Sequence, residues 1–380
     1  MSTVETKEAT TTGVAKVEDL VKKALKVALD KRKLDKEEGI APTEYMEVVK
    51  TVAETIESTA PAMILKENQK WFSDVIGNKL IPAEQDFCVS TFHGYDWNEA
   101  IVDFIPEADT TYILDTDLSR NILRAWELNE KILCYGPTGA GKSSLIEQLC
   151  ARTARPFVRI NCTGDMDSSM IFGQLTAKDG STHWVDGSVT EAVRHGAVFA
   201  WDEWDVTPPE ISMGLQWLLE DNGKLFLKEM PGATKDKLVI PHEHFKLVAI
   251  GNTQGQGDDT GSHAGTNVQN SATLDRFGTA VYVDYLAASV EVTMLLNKWK
   301  GKIATKVATE LVKLANLIRQ GYKAGQLNLT LSPRSLLNIC KKVSFGCTLQ
   351  EAFKLVYLNK LSETQHKVAS ELYVKVFGKN

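Results

Sequence analysis

Gly136-Pro137-Thr138-Gly139-Ala140-Gly141-Lys142-Ser143 is the stretch whose residue types and spacing point most directly to chemistry. It fits G-x-x-x-x-G-K-[ST], the pattern of a loop that wraps backbone N–H groups around a phosphate chain. Its glycines let the backbone turn inward, and the N-terminus of a following helix adds partial positive charge. In that setting Lys142 reaches the β- and γ-phosphates, and the Ser143 hydroxyl ligates Mg²⁺. Ser144 opens the following helix and completes the run expected to bind a nucleoside triphosphate. The flanks agree: residues 131–135 read as a short buried strand and 144–150 as a helix with an apolar face.

A second set of groups lies downstream. Ala197-Val198-Phe199-Ala200-Trp201 is apolar throughout, as a fully buried parallel strand is, and Asp202-Glu203 follow at its C-terminal end. Ligands of open α/β sheets bind at that edge. Asp202 is expected to hold the Mg²⁺ shell, and Glu203 to accept a proton from the attacking water. Residues 245–250 form another buried strand, ending at Gly251-Asn252-Thr253. The Asn252 amide both donates and accepts, which suits it to the lytic water or the γ-phosphate; an Asx turn is the plainer alternative. Arg276, in Leu274-Asp275-Arg276-Phe277, is either an arginine finger or half of a surface ion pair with Asp275. Arg334, in Leu331-Ser332-Pro333-Arg334, either reaches the γ-phosphate from a C-terminal helix or is a surface residue of a first turn. Tyr112 and Ile113 either pack on the nucleotide base or belong to the core.

These groups need a scaffold. Short apolar runs at 131–135, 156–160, 197–201, 245–250 and 279–283 alternate with helical stripes, which predicts an α/β core whose parallel sheet is flanked by helices. Residues 206–219 read as one helix with Pro208 and Pro209 in its first turn. Residues 178–182 read as a hairpin tip, and 224–227 with 238–240 as a second hairpin around Pro231-Gly232-Ala233. From Ala288 onward helices are expected over 290–299, 303–322, 333–343, 349–361 and 364–376, a small lid. Upstream, residues 1–12 are expected to be disordered and 14–33, 45–56 and 63–76 to be helical. That N-terminal third carries no visible chemistry and reads as a docking module or a cap.

Composition narrows the function classes. A 43% apolar content over 380 residues is enough for a sizeable core. The net charge of −6 weighs against nonspecific binding to nucleic acid or anionic membranes. No apolar run reaches the length of a membrane span, and Met-Ser-Thr-Val-Glu-Thr-Lys lacks an apolar signal core, so a cytoplasmic location is expected. The six cysteines form no C-x-x-C pair and read as reduced core residues. His242 and His244 have no partner at metal spacing and read as a loop pair.

Together, residues 136–143, Trp201-Asp202-Glu203, Asn252, Leu274-Asp275-Arg276-Phe277 and Ser332-Pro333-Arg334 resemble a MoxR-type AAA+ ATPase. Several stretches narrow the resemblance to the CobS group, the ATPase subunits of aerobic cobaltochelatases. These are Ile146-Glu147-Gln148, Asp202-Glu203-Trp204-Asp205, residues 219–225 and, most specifically, the glycine–aspartate run over 251–261 continuing to Gly265-Thr266 and Asn270. The resemblance covers residues 105–286, with weaker agreement beyond. It implies an AAA+ ATPase core over 105–286, a helical lid over 287–380 and a mainly helical N-terminal region over 1–104. It also implies a hexameric ring with ATP between subunits, Arg276 acting in trans and Arg334 as a lid sensor. The hairpins at 178–182 and 231–233 would face the pore or a partner. CobS-type ATPases work with a partner carrying a von Willebrand A domain and with a large subunit that inserts cobalt into a corrin ring, so a similar partner is implied. A nucleotide-gated scaffold, or a chaperone for a non-chelatase client, is the alternative; the presence of Glu203, Asn252 and Arg276 together favours turnover over a scaffold. The tryptophan before Asp202 and the N-terminal third depart from the pattern and leave the client open.

Overall fold

The computed structural model describes residues 65–255 and 269–378. The disordered segment expected at 1–12, the helices expected at 14–33 and 45–56, and most of the glycine–aspartate run lie outside the described residues.

Strands β1 (Gln69–Trp71) and β2 (Cys88–Ser90) pair antiparallel, with helix α1 (Phe72–Ile76) between them. The helix expected over 63–76 is thus confined, among described residues, to its last five positions, because residues 69–71 give their backbone to the ladder with β2. Helix α2 (Glu99–Val102) follows. Helix α3 (Thr116–Glu127) starts where the Asp115 side chain accepts from the Leu118 N–H at 2.9 Å. Its apolar stripe buries Ile122, Leu123, Ala125 and Trp126.

The central sheet is built from β3 (Ile132–Tyr135), β4 (Phe157–Asn161), β7 (Val198–Asp202), β10 (Lys246–Gly251) and β11 (Thr279–Tyr282). All pairings are parallel, in the spatial order β11-β3-β10-β7-β4. Helix α4 (Lys142–Thr153) leaves the end of β3 through the glycine-rich loop. Between β4 and β7 come α5 (Ser168–Phe172), a hairpin of β5 (Gly173–Lys178) and β6 (Ser181–Asp186), and α6 (Ser188–His195). Between β7 and β10 come α7 (Pro209–Gln216) and the short hairpin of β8 (Leu225–Phe226) and β9 (Leu238–Val239). Helix α8 (Ser271–Leu274) precedes β11.

The period of two along each strand sends side chains to opposite faces. Leu133, Phe199, Trp201, Leu247 and Ala249 enter one buried cluster with α6 and α7. Ile132, Cys134, Val198, Ala200, Val248 and Ile250 enter the other, against α3 and α4. Burying each such large side chain contributes about 1.5–3 kcal/mol, so a sheet covered on both faces is strongly held. Residues 65–104 contribute to both clusters, through Phe72 and Val89 on one face and Phe92, Trp97 and Ile101 on the other.

The helix expected over 206–219 is broken into three pieces. A 3₁₀ turn spans Trp204–Val206, Thr207 and Pro208 are extended, α7 begins with Pro209, and Trp217–Leu219 tightens again to 3₁₀. The two prolines explain the break, since a residue before proline is pushed out of the α region. The C-terminal lid contains α9 (Ala288–Lys298), α10 (Thr305–Lys323), α11 (Pro333–Ser344), α12 (Leu349–Val356) and α13 (Glu363–Phe377) around Leu311, Ile318, Leu336, Phe353 and Tyr357. The helix expected over 349–361 stops at Tyr357, whose φ of −126° ends it.

Candidate nucleotide site

The loop from Gly136 to Gly141 crosses the C-terminal end of β3 between two close neighbours. Gly136 has φ 148°, and a β-carbon there would fall 2.1 Å from the Val283 carbonyl oxygen. Gly139 has φ 73°, and a β-carbon there would fall 2.6 Å from the Ser332 β-carbon at the start of α11. Only glycine meets both demands. Lys142, 8% exposed, is folded back under the loop. Its Nζ donates to the Gly136 and Pro137 carbonyls at 2.8 and 3.1 Å and to Asn252 Oδ1 at 2.9 Å. Burial pulls the Lys142 pKa down, while Cys134, Glu203, Asp202 and Asp205 act in the opposite direction.

Parallel register brings the ends of β7 and β10 beside this loop. Ser143 Oγ donates to Asp202 Oδ2 at 2.8 Å. The same oxygen is 2.5 Å from Arg159 Nη2, reaching across from β4. A hydroxyl and a carboxylate at hydrogen-bond distance are the hard oxygen donors that suit Mg²⁺, so the pair fits that ion. Glu203, just past the end of β7, sits in the left-handed region with φ 55°. Its Oε2 accepts from Asn252 Nδ2 at 2.9 Å. Burial first, then the charges of Asp202 and Asp205, push its pKa up, opposed by Lys142 and Asn252.

Asn252 is therefore more than an Asx turn: its side chain spans Lys142 and Glu203. Its backbone is fixed from below by Asp205, a fully buried carboxylate whose Oδ2 accepts from the Asn252 and Thr253 N–H groups at 3.1 and 2.9 Å and from Thr253 Oγ1 at 2.8 Å. The tryptophan preceding Asp202 is wholly buried, with Nε1 donating to Thr207 Oγ1 at 2.8 Å and its ring edge-on to Trp204. Trp204 in turn leaves room only for glycine at 251, where a β-carbon would meet its Nε1 at 2.6 Å.

Beside the loop a cleft of about 610 Å³ opens between core and lid. Tyr112, Ile113, Leu118, Met294 and Leu337 supply apolar walls, and the exposed Arg334 lies on the lid side. Both Tyr112 and Ile113 thus line this cleft. Tyr285 OH donates to the Thr138 carbonyl at 3.0 Å, and its ring lies 4.1 Å below the Arg319 guanidinium. Arg319 is clamped by Glu291 at 2.7 and 2.8 Å inside the lid.

Arg276 stands apart from this cleft. Its ion-pair partner is Glu220, at 2.5 Å, rather than its neighbour Asp275. Sequence reasoning missed Asp205, Arg159, Glu220 and the Tyr285–Arg319 contact. Asp205 and Glu220 left a trace only as members of Asp202-Glu203-Trp204-Asp205 and of the stretch 219–225; the contacts themselves are made by the fold.

Among the described residues no helix is long and apolar enough to cross a membrane. Residues 131–277 match the AAA domain of the dynein-related subfamily, and 293–372 match the CbbQ/NirQ/NorQ C-terminal domain. The chain is similar to the aerobic cobaltochelatase subunit CobS of Sinorhizobium sp, with 30% identity over 282 residues, covering 72% of this chain and 83% of that protein. It is 33% identical over 177 residues to midasin of Dictyostelium discoideum, covering 45% of this chain and 3% of that much longer protein. Among solved structures, the RuvB Holliday junction branch migration motor of Thermotoga maritima aligns with a TM-score of 0.38 at 15% identity, over 70% of each chain.

Proposed function

The chain belongs to the MoxR-type AAA+ ATPases, close to CobS, and from that premise we propose that it hydrolyses ATP in a ring to remodel or activate a partner complex. The observation that carries this reading is Asn252, hydrogen-bonded at once to Lys142 and Glu203. A phosphate-binding cation and a candidate base joined through one amide form a unit suited to turnover. We read residues 105–286 as the ATPase core, 287–380 as the lid and 1–104 as an N-terminal region that serves the partner.

In this reading residues 136–144 hold the triphosphate, with Lys142 exchanging its loop acceptors for phosphate oxygens. Ser143 and Asp202 would hold Mg²⁺, which when bound neutralises charge on the phosphate oxygens. Water adds to the γ-phosphorus as its bond to the departing ADP oxygen breaks. Glu203 takes the proton, and Asn252 keeps Glu203 aimed. Arg276 serves the neighbouring subunit's nucleotide, and Arg334 reports occupancy from the lid. The hairpins at 178–182 and 231–233 face a pore or the client. The similarity to CobS supports a chelatase-type role with a von Willebrand A partner, and a hexamer is the expected ring.

Replacing Glu203 by Gln tests the proposal. The variant should bind ATP, assemble with nucleotide as seen by particle imaging, and lose both turnover and partner activation. Full partner activation without turnover would instead identify a nucleotide-gated scaffold.

A further inference from the structure

We propose that Glu220 is a positioning residue for Arg276, fixing the angle at which that guanidinium is presented to a neighbouring subunit's nucleotide. The inference rests on the reading of Arg276 as a finger acting in trans. Arg276 Nε donates to Glu220 Oε1 at 2.5 Å, and its Nη1 donates to the Ala272 carbonyl at 2.5 Å. Acceptors on two different nitrogens set both the place and the plane of a rigid donor fork, whereas a single contact leaves it free to rotate. Neither contact uses Nη2, the corner left for a phosphate oxygen.

The two acceptors are themselves held. Glu220 follows the 3₁₀ turn Trp217–Leu219, in which Leu218 and Leu219 are buried. The Gly223 N–H donates to the Glu220 carbonyl at 3.1 Å, and a β-carbon at Gly223 would fall 1.9 Å from the Trp217 carbonyl oxygen, so this turn is closed tightly. Gln216 Nε2 donates to Thr273 Oγ1 at 3.2 Å, tying the Glu220 segment to α8, which carries Ala272 and leads into Arg276. The side chains of Arg276 and Glu220 are 30% and 55% exposed. A pair so open to water contributes little to stability, so a loss of turnover on breaking it would report orientation rather than unfolding.

A double-mutant cycle on ATP turnover tests this, using R276A, E220A, E220Q and R276A/E220A with assembly followed by light scattering. E220A should lower kcat about 10–100-fold, the cost of a misplaced charged group, with KM for ATP and assembly unchanged. E220Q keeps an acceptor oxygen and should recover most of the rate. R276A/E220A should be no slower than R276A, because Glu220 acts only through Arg276. If R276A turns over at the wild-type rate, the finger reading itself fails. If R276A is inactive while E220A is unimpaired, if E220A fails to assemble, or if the double variant is well below R276A, the positioning role is overturned.

Discussion

Asn252 Oδ1 accepts a hydrogen bond from Lys142 Nζ at 2.9 Å, while the same side chain donates through Nδ2 to Glu203 at 2.9 Å. A single amide therefore links the end of β10 to the phosphate loop and to the acid that follows β7. Replacing Asn252 by Ala should lower kcat about 10²-fold, the lower range for a mispositioned general base. ATP affinity should change far less, since the loop glycines, Lys142 and Ser143 that would meet the phosphates are left in place. Steady-state turnover alongside equilibrium nucleotide binding checks this.

The same geometry sets a pH dependence. As the proposed base Glu203 would have to act as its carboxylate, and burial with Asp202 and Asp205 raises its pKa above the usual 4.5. Activity should therefore fall on acidification at a pH above the ordinary glutamate range. The Asn252 hydrogen bond lowers that pKa, so in N252A the acid limb should move further up. A pH–kcat profile of both proteins reads the shift.

Gly139 lies at φ 73° against Ser332. G139A should strain the loop by about 1–3 kcal/mol and push the start of α11 away. Weaker ATP binding by roughly 10-fold, measured by equilibrium titration, is the expected result.

Inside the lid, Arg319 and Glu291 form a buried bidentate pair, with Arg319 Nε also donating to the Leu331 carbonyl at 3.0 Å. E291A leaves an uncompensated buried cation and should cost about 3–5 kcal/mol in chemical denaturation. The apolar double variant E291L/R319M should recover much of that loss.

Lys246 is buried at the start of β10, with Nζ bonded to Asn129 Oδ1 at 2.9 Å. Burial, with Arg155 adding repulsion, pulls its pKa from 10.5 to about 8. Between those values the unfolded chain holds a proton that the folded chain lacks, so raising the pH favours the folded state. Stability should rise over that window in the wild type relative to K246M, a difference read from paired denaturation curves.

Much of the candidate site was legible in local order. The phosphate loop needs glycines, a lysine and a hydroxyl at set spacing, and that spacing survives on paper. Strands β7 and β10 were legible from their apolar runs at 197–201 and 247–250, because a strand buried on both faces is mainly apolar. The hairpin of β5 and β6 was legible from Asp179-Gly180, which turn with φ of 53° and 75°. The long helix read over 206–219 failed because its apolar period outweighed the local veto of Pro208 and Pro209.

Residue types and spacing, taken alone, determined the α/β core, the phosphate loop and the acid pair, because each depends on groups within a few residues along one backbone. Partnership was decided only in three dimensions. Arg276 has Asp275 beside it in the chain, yet adjacent residues on a helical turn point apart, and its carboxylate comes from Glu220, 56 positions away. Asp205 carries Asn252, and Tyr285 joins the phosphate loop to the lid, because parallel strand order sets distant segments side by side. No local pattern encodes those distances; they follow from how a sheet buried on both faces packs its ends together.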